Sequence, residues 1–282
     1  MKQKLLLLFI SICTLSLSAT SQQNKDAEHI EEAHETAPQL QSLSAITAFF
    51  EMSDVQYYAD IVNEPTKALD YEGDNKIAAN MGAYLGDMVY VMGTSGPKDA
   101  YLNYGAAMEC AKHVGLEESF PSIIIERYTD ENVSSDSIVR LLDQALDNSK
   151  KQLSEKDKSE FFDFMLYGNY VEKLYVISAL LKKQENKDLS DAANANLRRD
   201  LLLYMVKQRE HLDNLYEIMS VYADNDSYLF RLGQFKSLIN KYEDLVNNQD
   251  AILKMKPNEM FQAKEVKAIQ EQIGIIRNII VR

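Results

Sequence analysis

Cysteine, proline, glycine and tryptophan are all scarce in this sequence of 282 residues, which has 2 cysteines, 5 prolines, 10 glycines and no tryptophan. Because proline and glycine interrupt helices, their scarcity favours a helical fold. Cys13 lies in a segment that we expect to be removed, so an internal disulfide is excluded in the mature chain. We interpret the other cysteine, Cys110, as a small buried residue. The alternative, a reactive thiol, has only Lys112 and His113 nearby to stabilise a thiolate.

The sequence also lacks the motifs of the common catalytic classes. It contains no G-x-S-x-G, H-E-x-x-H, paired C-x-x-C, P-loop or dinucleotide-binding glycine pattern. His29 and His34 are five residues apart, a spacing that does not align them on one helical face, and His113 and His211 stand alone in the sequence. We therefore predict neither a metal site nor a cofactor site, and we favour a non-enzymatic protein.

Positive charge is in short supply, with 30 lysines and arginines against 43 aspartates and glutamates and a formal net charge of −13. Such an acidic surface repels nucleic acid and anionic lipid, so we exclude nucleic acid as a partner. Solubility is the simpler interpretation of the charge, and recognition of a cationic partner is the alternative. Beyond the N-terminal segment, the sequence has no apolar run of roughly 20 residues, the length that a membrane span needs.

Residues 1–21 have the pattern of a secretory signal peptide. Lys2 and Lys4 precede an apolar run over residues 5–17, and small residues then lead to a cleavage site after Ser21. The pattern predicts an exported protein that is periplasmic or located on the cell surface.

Cys13 provides an alternative to this cleavage, in which it becomes the lipid-bearing first residue of a bacterial lipoprotein. The bulky Ile12 departs from the small residue that usually precedes such a cysteine. Lipid anchoring of the exported chain through Cys13 therefore stays open.

Residues 22–39 are acidic and poor in large apolar side chains, which predicts a disordered spacer.

Residues 40–282 are predicted to form a single all-helical domain, because apolar residues recur every three or four positions. We expect short helices in residues 40–150 and long helices that form an antiparallel bundle in residues 151–282. The short helices are predicted at Leu43–Phe50, Val55–Val62, Asn75–Met92, Pro97–Val114, Phe120–Glu131 and Ser135–Asn148. The apolar positions of the long helices run along Phe161–Leu181, Leu197–Met219, Leu229–Ile252 and Val266–Ile280.

The stretch AANMGAYLGDMVYV combines small and polar residues inside an apolar helix. Gly82 and Gly86 are four residues apart, which lets a second helix approach closely and explains why their cost of about 1 kcal/mol each is tolerated. Asp87 needs hydrogen-bond donors or a cation there, and tyrosine hydroxyl groups could serve. We interpret it as a structural polar anchor, with a catalytic acid or ligand contact as the alternative. The predicted binding or structural polar cluster consists of Asn80, Tyr84, Asp87, Tyr90, Tyr101 and Tyr104.

The fragments YLGDMVY and AYLNYGAA resemble the two helices of a tetratricopeptide repeat. Leu85 and Gly86 correspond to the Leu-Gly pair of the repeat, and Ala100, Tyr104 and Ala107 correspond to its Ala, Phe and Ala. The resemblance implies a tetratricopeptide-like helical hairpin at residues 75–115, without a regular array of repeats.

A longer resemblance covers residues 43–181, where five segments follow one another in order. They are YYADIVNEPTKALDY, AANMGAYLGDMVYV, YLNYGAAMECAKHVGL, IIERYTDENVSSDSIVRLL and YGNYVEKLYV. Together they resemble a family of exported, often lipid-anchored Bacteroidetes proteins that carries no established activity. The resemblance implies export and a helical fold, and it implies no functional residues.

These patterns predict a non-enzymatic binding or scaffold protein of the cell envelope, whose grooves, lined by tyrosine and methionine, bind a peptide or another envelope component. The alternative is a hydrolase-like envelope enzyme with a buried acid site around Asp87. Self-association is a further possibility, through a C-terminal stripe of Ile269, Ile273, Ile276 and Ile280.

Overall fold

The structure is a computed structural model that describes residues 43–120, 124, 127, 134–185, 187–188, 191–222, 226–255, 259 and 262–282. Throughout these ranges the regular elements are helices, and no strand occurs in them. The predicted all-helical fold is therefore confirmed. The predictions for the signal peptide and the acidic spacer lie outside the described residues.

Nine α-helices and two short 3₁₀ turns, at Pro65–Leu69 and Glu117–Ser119, make up the described part of the chain. Gly96, which has a φ of 98°, separates the second helix from the third, and Pro97 occupies the first position of the third helix. The helices are α1 Leu43–Met52, α2 Asp74–Ser95, α3 Pro97–His113, α4 Ser135–Glu155, α5 Ser159–Lys183, α6 Ala192–Lys207, α7 Arg209–Ser220, α8 Asp226–Lys254 and α9 Lys264–Val281.

Helices α2 and α5 form the centre of the molecule. Every residue of α2 from Ile77 to Met92 is buried, and so is every residue of α5 from Phe161 to Leu174. Helices that are buried on all sides need neighbours all round. Helix α2 contacts α1, α3, α5 and α9, while α5 also contacts α4, α6, α7 and α9.

Glycines bring the two central helices into close contact. A Cβ atom on Gly82 would overlap the carbonyl oxygen of Met165, and a Cβ atom on Gly168 would overlap the carbonyl oxygen of Ala79. A Cβ atom on Gly86 would lie 3.0 Å from the Cβ atom of Glu172. The interpretation of the α2 glycines as packing residues is therefore confirmed.

The helix predicted at Val55–Val62 is wrong, because residues 55–64 form turns and irregular backbone in front of the Pro65–Leu69 turn. Only Ile124 and Arg127 of the helix predicted at Phe120–Glu131 can be described, and both are helical. Gly93 lies inside α2, where its missing side chain leaves room for Phe50.

The helix predicted along Leu197–Met219 is divided in two at Gln208. At this break the carbonyl oxygen of Gln208 accepts hydrogen bonds from the hydroxyl of Tyr170 at 2.7 Å and from the backbone N–H of His211 at 3.1 Å. Burial raises the pKa of Cys110 to about 12, which agrees with its interpretation as an unreactive buried thiol.

The stripe of isoleucines in α9 faces the interior of this chain. Ile269, Ile273, Ile276 and Ile280 are at most 5% exposed. The stripe is therefore covered by the chain's own helices, so the surface on which the self-association prediction depended is not exposed. No helix in the described ranges has the length and apolar character that crossing a membrane requires.

Candidate functional site

Three polar side chains on one face of α2 hold the irregular segment of residues 55–64, which we call the 55–64 segment. Tyr84, Asp87 and Tyr90 are spaced three apart, so they lie on the same side of the helix. The hydroxyl of Tyr90 accepts a 2.8 Å hydrogen bond from the backbone N–H of Tyr58. Side chains thus replace the backbone partners that a helix would have provided.

The other two side chains bind the end of the segment. The hydroxyl of Tyr84 donates a 3.0 Å hydrogen bond to the carbonyl oxygen of Glu64. Oδ2 of Asp87 accepts two hydrogen bonds from Asn63, one from the backbone N–H at 2.9 Å and one from the side-chain amide at 2.8 Å. Asn63 therefore provides the hydrogen-bond donors that Asp87 needs, in place of the tyrosine hydroxyl groups that could have served.

Asp87 belongs to a buried ionic cluster that joins α2, α5, α9 and the 55–64 segment. The Nε–H of Arg277 is shared between both carboxylate oxygens of Glu172, at 3.0 Å each. Nη2 of Arg277 donates to Oδ1 of Asn63 at 2.7 Å and to the carbonyl oxygen of Ile61 at 3.4 Å. We call Asn63, Asp87, Glu172 and Arg277 the buried cluster.

The buried cluster contains two carboxyl groups and one guanidinium, and its carboxyl groups are sealed from solvent. Asp87 is 0% exposed and Glu172 is 1% exposed. Burial raises the pKa of Asp87 well above its usual range, and the negative charge of Glu172 raises it further. Burial also raises the pKa of Glu172, but the charge of Arg277 and a hydrogen bond with Asp87 oppose that rise. The arrangement favours a proton on Asp87 and a negative charge on Glu172.

The remaining predicted site residues lie elsewhere. The side-chain amide of Asn80 donates a 2.8 Å hydrogen bond to the carbonyl oxygen of Ile280, at the end of α9. Tyr101 is 42% exposed, whereas Tyr104 is buried in the core. Neither is a hydrogen-bond partner of Asp87. Three of the six predicted residues therefore act together, through their contacts with the 55–64 segment.

Sequence reasoning missed Asn63, Glu172 and Arg277, whose contacts with Asp87 or with one another span between 24 and 214 residues of the chain. A signal for two of them was present, because each is a charged residue inside an apolar helical run, in NYVEKLYVIS and in IGIIRNIIV. An isolated charge of this kind needs an opposite charge when it is buried. Asp87, which also lies inside an apolar run, is the third charged residue of this kind.

A cleft of about 390 Å³ opens between the C-terminal half of α5 and α9. The amide of Gln270 donates to the carbonyl oxygen of Ser178, and Arg277 pairs with Glu172, so the two helices run antiparallel. At one end of the cleft, the ring of Tyr175 packs 4.0 Å from the guanidinium of Arg277. The lining residues are Tyr175, Ser178, Ala179, Lys182, Glu185, Lys267, Gln270, Glu271 and Gly274.

A third buried carboxyl, that of Asp163, lies near the start of α5. The hydroxyl of Tyr222 donates a hydrogen bond to the carboxylate of Asp163, which is 1% exposed. Burial raises the pKa of Asp163 to about 7, against the lowering effects of this hydrogen bond and of the charge on Lys150. Within the described part of the chain, no group of three or more histidine, cysteine, aspartate or glutamate side chains is arranged to hold a metal ion.

Comparisons of this chain with protein-family models, with curated proteins and with solved structures give no match. The resemblances to the tetratricopeptide repeat and to exported Bacteroidetes proteins therefore stay predictions from the sequence.

Proposed function

We propose that this protein is an exported, non-enzymatic binding protein of the cell envelope, which holds an extended peptide segment in the cleft between α5 and α9. The observation that carries the proposal is the lining of this cleft, which combines an aromatic ring, small residues and charged groups at its rim. Its volume of about 390 Å³ falls within the usual range of ligand sites.

The chemistry of the cleft changes along its length. Tyr175 and Gly274 lie at one end, where a Cβ atom on the glycine would meet nothing within 4 Å. Because the helices are antiparallel, Lys182 of α5 and Lys267 of α9 lie at the same level of the cleft. This level is seven residues beyond Tyr175 along α5. That separation corresponds to about 10 Å, or about three residues of extended peptide. The occupant that fits is a peptide with an aromatic or apolar residue at Tyr175 and an acidic residue three positions away. Lys182 and Lys267 are the cationic side chains there, in a lining that also contains Glu185 and Glu271.

The alternative of a hydrolase-like enzyme rests on the two neighbouring carboxyl groups of Asp87 and Glu172. Both are sealed from solvent, and neither lines the cleft between α5 and α9. A substrate atom has to come within hydrogen-bond reach of a catalytic acid. The geometry therefore supports the binding proposal better than catalysis.

Fluorescence anisotropy with a labelled peptide that carries tyrosine and glutamate three positions apart tests the proposal. We expect binding to the mature protein, and at least tenfold weaker binding when the glutamate of the peptide is replaced by lysine. The variant Gly274→Leu fills the open space of the cleft and should abolish binding. Gly233→Leu is the matched control, because this glycine also lies within a helix with nothing near its Cβ position. Wild-type binding by Gly274→Leu would overturn the assignment of the cleft.

Export is part of the same proposal and has its own measurement. We propose cleavage after Ser21, which gives a mature chain that begins at Gln22. Mass spectrometry of the protein from its native envelope should show this N-terminus. A diacylated or triacylated Cys13 at the N-terminus would instead establish lipid anchoring.

A further inference from the structure

The buried cluster lies directly beneath the 55–64 segment, and Asn63 belongs to both. Ile61 and Asn63 of the segment are buried, while Ala59 and Asp60 are exposed, so the segment separates the cluster from solvent. Arg277 contacts the same segment from α9. We propose that the buried cluster is a latch controlled by one proton. The cluster keeps the 55–64 segment closed over α2 while Asp87 and Glu172 hold that proton between them. When the proton is lost, the cluster releases the segment.

Charge balance is the first argument for the latch. With one proton, the cluster contains one carboxylate and one guanidinium and is neutral. Without it, two carboxylates share the single guanidinium of Arg277, whose Nε–H and Nη2 groups already bind Glu172, Asn63 and Ile61. A buried, uncompensated charge costs several kcal/mol or more in free energy unless water reaches it.

The hydrogen bonds of Asp87 identify where the proton is held. Its Oδ2 atom accepts both hydrogen bonds from Asn63. Its Oδ1 atom is buried and receives no hydrogen bond from the described residues. A proton on Oδ1 would make this atom a donor, and the carboxylate of Glu172, which interacts with Asp87, is an acceptor for it.

The packing determines which element moves when the proton is lost. Asp87 and Glu172 cannot separate by moving their helices, since Gly82, Gly86 and Gly168 hold α2 and α5 backbone against backbone. The 55–64 segment is instead held by side chains of the helices, those of Tyr84, Asp87 and Tyr90 of α2, Lys183 of α5 and Arg277 of α9. Water therefore reaches the carboxylates most easily when this segment moves outward.

The titratable groups that act on Asp87 come from each element around it. Glu172 of α5 and Arg277 of α9 act most strongly. Tyr57 of the 55–64 segment and Tyr84 of α2 also interact with its charge. Because burial keeps the pKa of Tyr84 above its usual value of 10, it stays neutral while Asp87 loses its proton.

Amide hydrogen exchange between pH 5 and pH 9, corrected for the intrinsic exchange rate, tests the latch. The amides of Tyr58 and Asn63 should lose protection by about tenfold or more as the pH rises, while those of α2 keep theirs. The variant Asp87→Asn mimics the protonated acid and should remove this pH dependence. Asp163→Asn, which changes another buried carboxyl outside the cluster, should leave it in place.

Protection of Tyr58 and Asn63 that does not change with pH in the wild-type protein would overturn the latch, as would an unchanged pH dependence in Asp87→Asn. Should Asp87→Asn not fold, the wild-type protein still decides the question. Infrared spectroscopy gives an independent readout at neutral pH. A protonated carboxyl band that disappears in Asp87→Asn supports the latch, and a wild-type spectrum without that band contradicts it.

Discussion

At the scale of single residues, Asp87 and Glu172 differ in their contacts with Arg277. The guanidinium donates to Glu172 and not to Asp87, whose hydrogen bonds come from Asn63. Replacing each acid by its amide therefore has different expected consequences. An amide at position 87 keeps the shape of a protonated acid, whereas an amide at position 172 removes the counter-charge of a largely buried guanidinium.

We predict that Glu172→Gln lowers the free energy of unfolding at pH 7 by about 3 kcal/mol or more, the usual cost of removing one partner from a buried ion pair. Asp87→Asn should change it by less than about 1 kcal/mol. Urea unfolding of both variants measures the difference. Equal destabilisation by the two substitutions would show that the two carboxyl groups have the same role.

The raised pKa of Asp87 also gives a pH dependence of stability. A group with a raised pKa binds its proton more tightly in the folded state, so its stabilising effect is complete below the usual aspartate pKa of about 4. That effect is lost as the pH rises towards the raised pKa. Asp163, whose pKa is about 7, acts in the same direction between about pH 4 and pH 7.

We therefore predict that the wild-type protein is less stable at pH 8 than at pH 5, as measured by thermal unfolding in buffers of equal ionic strength. The double variant Asp87→Asn/Asp163→Asn should have a flatter profile, because it lacks two of the buried carboxyl groups with raised pKa values. A double-variant profile as steep as that of the wild-type protein would assign the pH dependence to other groups.

At the scale of helices and loops, the sequence predicted the structure correctly where backbone groups form hydrogen bonds with one another inside a helix. The bounds of α2 and α3 differ from the predicted ones by at most three residues, since their apolar spacing and flanking glycines determine them, whereas α4 continues for seven residues beyond its predicted end. The helix predicted at Val55–Val62 was wrong because backbone groups of the 55–64 segment form hydrogen bonds with the side chains of Tyr84, Asp87 and Tyr90. No local pattern reveals such distant partners.

The same limit applies to the candidate site. The three-residue spacing of Tyr84, Asp87 and Tyr90 is visible in the sequence, and it correctly places them on one face of a helix. A prediction that Glu172 and Arg277 lie beside Asp87 requires knowledge of how α5 and α9 pack on α2. The packing of α2 on α5 depends on close contacts at Gly82, Gly86 and Gly168, of which only those at Gly82 and Gly86 are predicted from the sequence.

Glycine substitutions test the packing of α2 on α5. We predict that Gly82→Ala and Gly168→Ala each lower the free energy of unfolding by about 3 kcal/mol or more, because the added methyl overlaps a backbone carbonyl. Gly233→Ala in α8 should raise it by about 0.5 to 1 kcal/mol, because its Cβ position is open. Chemical unfolding measures all three, and a stable Gly82→Ala variant would contradict the close contact.

At the scale of the whole molecule, α9 connects the C-terminus to the centre formed by α2 and α5. Asn80 of α2 binds the carbonyl oxygen of Ile280, and Arg277 completes the buried cluster. The apolar stripe of α9 packs inside the chain instead of on its surface. The pattern of isoleucines in the sequence correctly indicated an apolar face, but a sequence alone does not say whether the same chain or a second copy covers that face.

Substitutions of two neighbouring isoleucines of α9 test whether the same chain or a second copy covers the apolar stripe. Ile276 is 0% exposed and Ile275 is 47% exposed. If the stripe is part of the core, Ile276→Ala lowers the free energy of unfolding by about 2 to 5 kcal/mol, while Ile275→Ala changes it by less than about 0.5 kcal/mol. Light scattering should then give the same molar mass for both variants and the wild-type protein. A fall in molar mass with Ile276→Ala, without loss of stability, would instead show that the stripe joins two copies, because only an intermolecular contact can be removed while each fold stays intact.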